Sequence, residues 1–190
     1  MPAAPVRSRY YAPVLPRNES EPAGTKVISL AVPGYQLETY GNPTAADIQH
    51  WTNAFRSVPE WIKPAQTIRV VIVEGNCGYL FPGGGTWGSI LGFTYMQNAS
   101  IYISANTRTS TTAVHETAHV YDYFSNFLTY SDEFAAIYQA EGTKLPNNLK
   151  QVFNEYEFFA EGVAQYLKNP AAVQSACPKF YQYVTNLKTK

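Results

Sequence analysis

Two of this chain's three histidines, His115 and His119, stand four residues apart in TTAVHETAHVYDYF, with Glu116 directly after the first. On an α-helix that spacing returns the side chains to nearly the same face one turn on, so two imidazoles can reach one metal ion. A carboxylate one residue from the first histidine points beside the pair. From there it can take a proton from a water near the ion without itself being a ligand, the zinc-peptidase arrangement of two ligands and a general base. The chemistry implied is metal-assisted hydrolysis with Glu116 as the base.

Catalytic zinc takes three protein ligands and keeps an open position, so a third donor has to come from elsewhere. His50, the remaining histidine, lies in an early helical stretch and reads as structural. The stretch NEYEFFAEG, residues 154–162, offers more. Val152, Tyr156, Phe159 and Val163 form an apolar stripe at helical spacing, which docks this helix in the core. Beside the stripe, Glu157 and Glu161 fall four apart on one face, and two carboxylates there are costly unless a cation meets them. One would ligate; the other would accept a ring N–H from a ligand histidine and fix its tautomer. Asp122, three residues after His119, is a further candidate for that supporting role.

These groups need a scaffold. Lys26 to Val32 and Thr67 to Glu74 are short, β-branched and bounded by Pro or Gly, which predicts buried strands. Between them, Asn42-Pro43-Thr44 opens a helix with Ile48, Trp51, Phe55 and Trp61 as its apolar face. Gly83-Gly84-Gly85 and Trp87 then mark a loop or hairpin. Ala99 to Ala105 alternates Ile101 and Ile103 against Tyr102 and Ser104, as on an edge strand directly before the histidine helix. From Ser110 the pattern is helical, over about 110–129, 131–142, 148–168 and 170–187, the last interrupted near Pro178. The fold class is α+β, a single domain with a small mixed or antiparallel sheet in the first half and helices in the second.

Composition bounds the partners. The 190 residues carry 14 basic and 14 acidic side chains with no basic cluster, which excludes the electrostatic footprint of nucleic acid or anionic membrane. No run of residues is long and apolar enough for a membrane span. The first 24 residues are Pro-rich and aperiodic, a flexible segment of the kind that follows a removed signal, leaving residues 25–190 as the domain. Cys77 and Cys177 are compatible with one long-range disulfide or with two buried thiols.

The segments AVHETAHVYDYF and NEYEFFAEGVAQYLKNPAAVQSACPKFYQYV together resemble the zinc-peptidase domain of the anthrax lethal factor family, which includes the small secreted Pro-Pro endopeptidases. That resemblance implies a zincin-like fold and one zinc ion per chain. It implies His115, His119 and Glu157 as ligands, Glu116 as base and Glu161 behind a ligand histidine. It also implies an extracellular enzyme, monomeric, that cuts extended and proline-rich segments of peptide or protein substrates. The substrate is expected along Ala99–Ala105, adding main-chain hydrogen bonds to the strand, with Trp87 and Tyr102 as contacts. The family carries an oxyanion-stabilising tyrosine shortly before its third ligand. Here the corresponding positions are Lys150 or Asn148, which keeps a catalytically inactive peptide-binding module as the alternative.

Overall fold

A computed structural model describes residues 25–28, 30–80, 91–96, 99–107, 109, 111–146 and 154–189. The Pro-rich segment 1–24, the triglycine with Trp87, and Asn148 and Lys150 lie outside the described residues.

Among the described residues the strands are β1 (Lys26–Val27), β2 (Tyr35–Tyr40), β3 (Ile68–Val73), β4 (Gly92–Tyr95) and β5 (Ser100–Ser104), ordered β1-β2-β3-β5-β4 in one mixed sheet. β2, β3 and β5 run parallel, while β1 and β4 are antiparallel to their neighbours. The first predicted strand is thus only two residues long. The long strand beside β3 is β2, YQLETY, which the sequence reading passed over because its polar residues disguise a buried strand. The strand directly before the histidine helix is also not an edge. β5 is buried throughout between β3 and β4, and its neighbour β4, from the predicted loop region, holds the outer edge.

Alternation splits the sheet into two faces. Ile68, Val70 and Ile72 of β3 join Ile101 and Ile103 of β5 in the main core with the helices. Val71, Val73, Cys77, Phe93 and Tyr102 pack together in a second cluster on the opposite face.

Helix α1 (Ala45–Arg56) begins at Thr44, whose hydroxyl accepts from Asp47 N while Asp47 accepts from Thr44 N, a reciprocal cap of the kind that stabilises a helix by about 1 kcal/mol. Trp51 and Phe55 are fully buried. Trp61 lies beyond the helix, on a 3-10 turn after Pro59, and meets Tyr121 edge-on at 6.4 Å.

The second half is α2 (Thr111–Phe124), α3 (Asp132–Glu141), α4 (Glu155–Lys168), α5 (Pro170–Ala176) and α6 (Pro178–Leu187). α2 stops five residues short of the predicted end because Asn126 and Phe127 turn left-handed, with φ of 61° and 54°. Asn154 and Asn169 cap α4 and α5, and Pro170 and Pro178 start α5 and α6. The α6 start is capped from afar: Glu141, at the end of α3, accepts from Lys179 N and Phe180 N at 3.1 and 2.9 Å. α6 packs so closely on α4 that a Cβ at Gly162 would lie 2.4 Å from the Phe180 ring.

Cys77 and Cys177 are both free and buried. Cys77 sits against Ser104 on the far face of the sheet and Cys177 against Glu141, so the disulfide alternative does not apply.

Candidate metal centre

α2 lies on the main-core face of the sheet through Ala113, Val114, Ala118 and Val120, with Thr117 Oγ1 hydrogen-bonded to Tyr35 OH at 2.9 Å. α4 packs on α2, with Phe159 stacked on Tyr121 at 6.4 Å and Tyr156 edge-on to His119 at 5.7 Å. Because each helix spends its apolar stripe on the core, both turn their polar positions into the same gap.

There the predicted donors meet. His115 Nε2 and His119 Nε2 are 3.1 Å apart, Glu157 Oε2 is 3.4 Å from the first, and Glu157 Oε1 is 3.5 Å from the second. Donors about 2.0–2.1 Å from a tetrahedral zinc ion are separated by about 3.3 Å, so the three residues, each offering one donor atom, fit the ion's coordination shell. The donor types fit as well, two imidazoles and one carboxylate.

The supporting carboxylates divide. Glu161 Oε2 lies 3.4 Å from His115 Nδ1, and Gln165 Nε2 donates to Glu161 Oε1 at 2.7 Å. Asp122 goes elsewhere: its oxygens accept from Thr129 N at 3.0 Å and Thr129 Oγ1 at 2.7 Å. The Nδ1 atom of His119 has no hydrogen-bond partner among the described residues. Asp122 therefore pegs the turn after α2 rather than orienting His119, although it lies on the same helix.

Charge reinforces the cluster. Burial pushes the His115 imidazolium towards losing its proton, but hydrogen bonds to Glu157 and Glu161 and the nearby Glu116 outweigh this and raise its pKa to about 10. Burial also opposes ionisation of Glu157, yet His119 and His115 hold its carboxyl well below the usual range. Glu161 shifts the same way: burial opposes its ionisation, and His115 and Gln165 overcome it.

Glu116, only 5% exposed, is met by β4. Thr94 Oγ1 donates to Glu116 Oε2 at 2.5 Å, and a Cβ at Gly92 would lie 3.1 Å from Glu116 Oε1. Neither residue was a sequence-derived candidate. The signal available was the alternation in GFTY, which puts Gly92 and Thr94 on one face.

His50 stands apart from the metal cluster and packs edge-on against Trp51 at 5.1 Å. Tyr102 faces away from α2, stacked on Phe93 at 4.9 Å with its hydroxyl accepting from Arg69 Nη1. As a substrate contact it is misplaced, because position 102 alternates with the two isoleucines that face α2.

Two histidines one helical turn apart, a glutamate from the facing helix and a second, non-ligating glutamate beside them, on an α+β scaffold, define the zincin-like class of metallopeptidase domain. Residues 85–187, more than half of the chain, match the family described as "Anthrax toxin lethal factor, N- and C-terminal domain", and the chain belongs to that family. A Pro-Pro endopeptidase of Clostridioides difficile (strain 630) is 40% identical over 79 residues, which take in 39% of this chain and 36% of that protein, so the chain spans little more than a third of this relative's length. The fold is similar to that of the Pro-Pro endopeptidase from Paenibacillus alvei, with a TM-score of 0.63 and 18% identity over 80% of this chain and 96% of that one.

Proposed function

We propose that this chain is a secreted zinc-dependent endopeptidase that hydrolyses extended, proline-bearing segments of peptides or proteins. The convergence of His115, His119 and Glu157, with Glu116 held beside them, is the observation that carries the reading. The names of the two similar Pro-Pro endopeptidases support the substrate preference. Family membership supports the extracellular location. Among the described residues no helix is long and apolar enough to cross a membrane, and the balanced charge leaves nucleic acid without a footprint.

His115, His119 and Glu157 would hold one zinc ion, with Glu161 fixing His115 through Nδ1. The bound ion supplies Lewis acidity, polarising the scissile carbonyl and acidifying the attacking water. Glu116 takes the proton from that water as it attacks and returns it to the leaving amine. The substrate lies along the outer edge of β4, not along β5, because β4, of the two edge strands, is the one that meets Glu116, through Thr94. Added there as a further strand, the peptide is drawn straight beside Glu116. The metal donors come from one chain, so the proposed site needs no second copy, and the chain is taken to act as a monomer.

The test is digestion of a diverse peptide library, proline-rich members included, by the zinc-loaded protein and by Glu116→Gln, with products read by mass spectrometry. Loss of a general base lowers turnover by about 10²–10⁴-fold. Cleavage that disappears in the variant while zinc content holds supports the reading. A wild-type protein that binds zinc and peptide but cuts nothing overturns it in favour of a binding module.

A further inference from the structure

The edge strand β4 touches both the proposed substrate path and the proposed base. Ser104 N donates to Leu91 O at 2.9 Å, and the β4–β5 register pairs Gly92 with Ile103, Phe93 with Tyr102 and Thr94 with Ile101. Extended by one step, that register sets Leu91 opposite Ser104 as a hydrogen-bonded pair. Antiparallel pairs alternate between bonded and non-bonded. Leu91, Phe93 and Tyr95 therefore turn their backbone polar groups towards β5, while Gly92 and Thr94 turn theirs outward, where no strand pairs among the described residues.

Gly92 and Thr94 are also the β4 residues that face α2. The Thr94 hydroxyl donates to Glu116 Oε2 at 2.5 Å and lies 3.3 Å from Glu116 O. The other carboxylate oxygen lies towards Gly92, where even a methyl group would stand 3.1 Å from it and 2.9 Å from Ile103 Cδ1. A two-oxygen base on a flexible stem must be aimed if one oxygen is to meet the water and then the leaving amine, and reach within hydrogen-bond distance is the requirement. Fixing Oε2 leaves Oε1 free for that task, and the glycine keeps the space around it open.

We propose that Thr94 is a positioning residue for Glu116: the strand that receives the substrate backbone also aims the base, through backbone and side chain of the same residue. This rests on the peptidase reading for its catalytic consequence and on geometry alone for the placement of the carboxylate.

Thr94→Val keeps the branched shape and the strand preference but removes the donor, and Thr94→Ser restores it. Crystal structures of the zinc-loaded wild type and Thr94→Val read the placement directly, with the Glu116 carboxylate turned to a new rotamer in the variant. Kinetics read the consequence. A lost hydrogen bond to a charged group corresponds to about ten- to a hundredfold in rate, expected in kcat with little change in KM or zinc content, and Thr94→Ser recovers most of it. An unmoved Glu116 in Thr94→Val, an unchanged kcat, or a loss confined to KM overturns the inference. If the wild type cuts nothing yet Glu116 still moves in Thr94→Val, the peptidase reading has failed and the positioning stands.

Discussion

Glu116, Asp122 and Glu141 are almost equally hidden, at 5%, 1% and 4% exposed, but they sit in two kinds of surroundings. Glu141 and Asp122 accept from backbone N–H groups, Glu141 at the start of α6 and Asp122 at the turn after α2. Around Glu116, Glu157 and Glu161 the neighbours are instead a threonine hydroxyl, imidazoles and a side-chain amide. Backbone donors tie a carboxylate to the path of the chain, and the result is architecture. Side-chain partners that are themselves metal donors gather carboxylates that need a cation beside them, which the His115 imidazolium supplies until a metal takes its place. Burial alone does not separate a catalytic carboxylate from a structural one; the identity of its partners does.

The largest expected effect comes from the second set. Glu157→Ala removes one of three donors, so zinc affinity falls by on the order of a hundredfold or more, beyond the 10–100-fold typical of residues supporting a ligand. The fold should survive, because the Glu157 side chain is 31% exposed and its helix is held by Phe158, Phe159 and Val163. Zinc titration against a fluorescent chelator measures this. Full zinc affinity in Glu157→Ala would remove Glu157 from the ligand set and break the comparison.

The first set should behave in the opposite way. Glu141→Ala strands two backbone donors at the start of α6 and is expected to cost about 2–4 kcal/mol in urea unfolding, with zinc affinity unchanged. Asp122→Ala strands one backbone donor and a hydroxyl, for about 1–3 kcal/mol. This variant sharpens the contrast, because its sequence position suggests a partner for His119. If Asp122 did support that ligand, zinc affinity would fall 10–100-fold, as expected for Glu161→Ala. The hydrogen bonds to Thr129 predict instead a loss of stability alone.

Legibility in the sequence follows the same division. The spacing of His115, Glu116 and His119 is a local property of one helix, and the four-residue spacing of Glu157 and Glu161 is another, so both could be read directly. Which carboxylate faces which imidazole depends on how α2 and α4 cross, and there the resemblance to a known family supplied the assignment of Glu157 and Glu161. Asp122 shows where spacing misleads: three residues from His119 on one helix, its carboxylate is taken by Thr129, seven residues on. The edge was misassigned for a related reason. ASIYISA alternates as a half-wet strand would, but its tyrosine face is covered by Phe93 and Val71, and nothing local to residues 99–105 announces that cover. Gly92 and Thr94 were missed because their significance lies in what stands opposite them.

The smallest effect concerns a single proton, and it tests whether the imidazoles and carboxylates act as one unit. In the metal-free protein the His115 pKa is raised to about 10, above the roughly 6.5 of an unfolded histidine. Its protonation therefore contributes stability that is fully present below about pH 6.5 and is lost as the pH rises towards 10. Glu157 is shifted down, so its contribution is present above the ordinary carboxylate range and is lost as pH falls through the folded value. At neutral pH both contributions operate, and the apo site holds a proton where the metal must bind. A metal ligand must be deprotonated, so zinc binding at pH 7 should release about one proton per ion. Calorimetry in buffers of different ionisation enthalpy counts that proton directly. Release of about one proton would show that Glu157 and Glu161 hold a cation in place until zinc arrives. Release near zero would mean that His115 is already neutral, and the site would then be preformed in charge as well as in geometry.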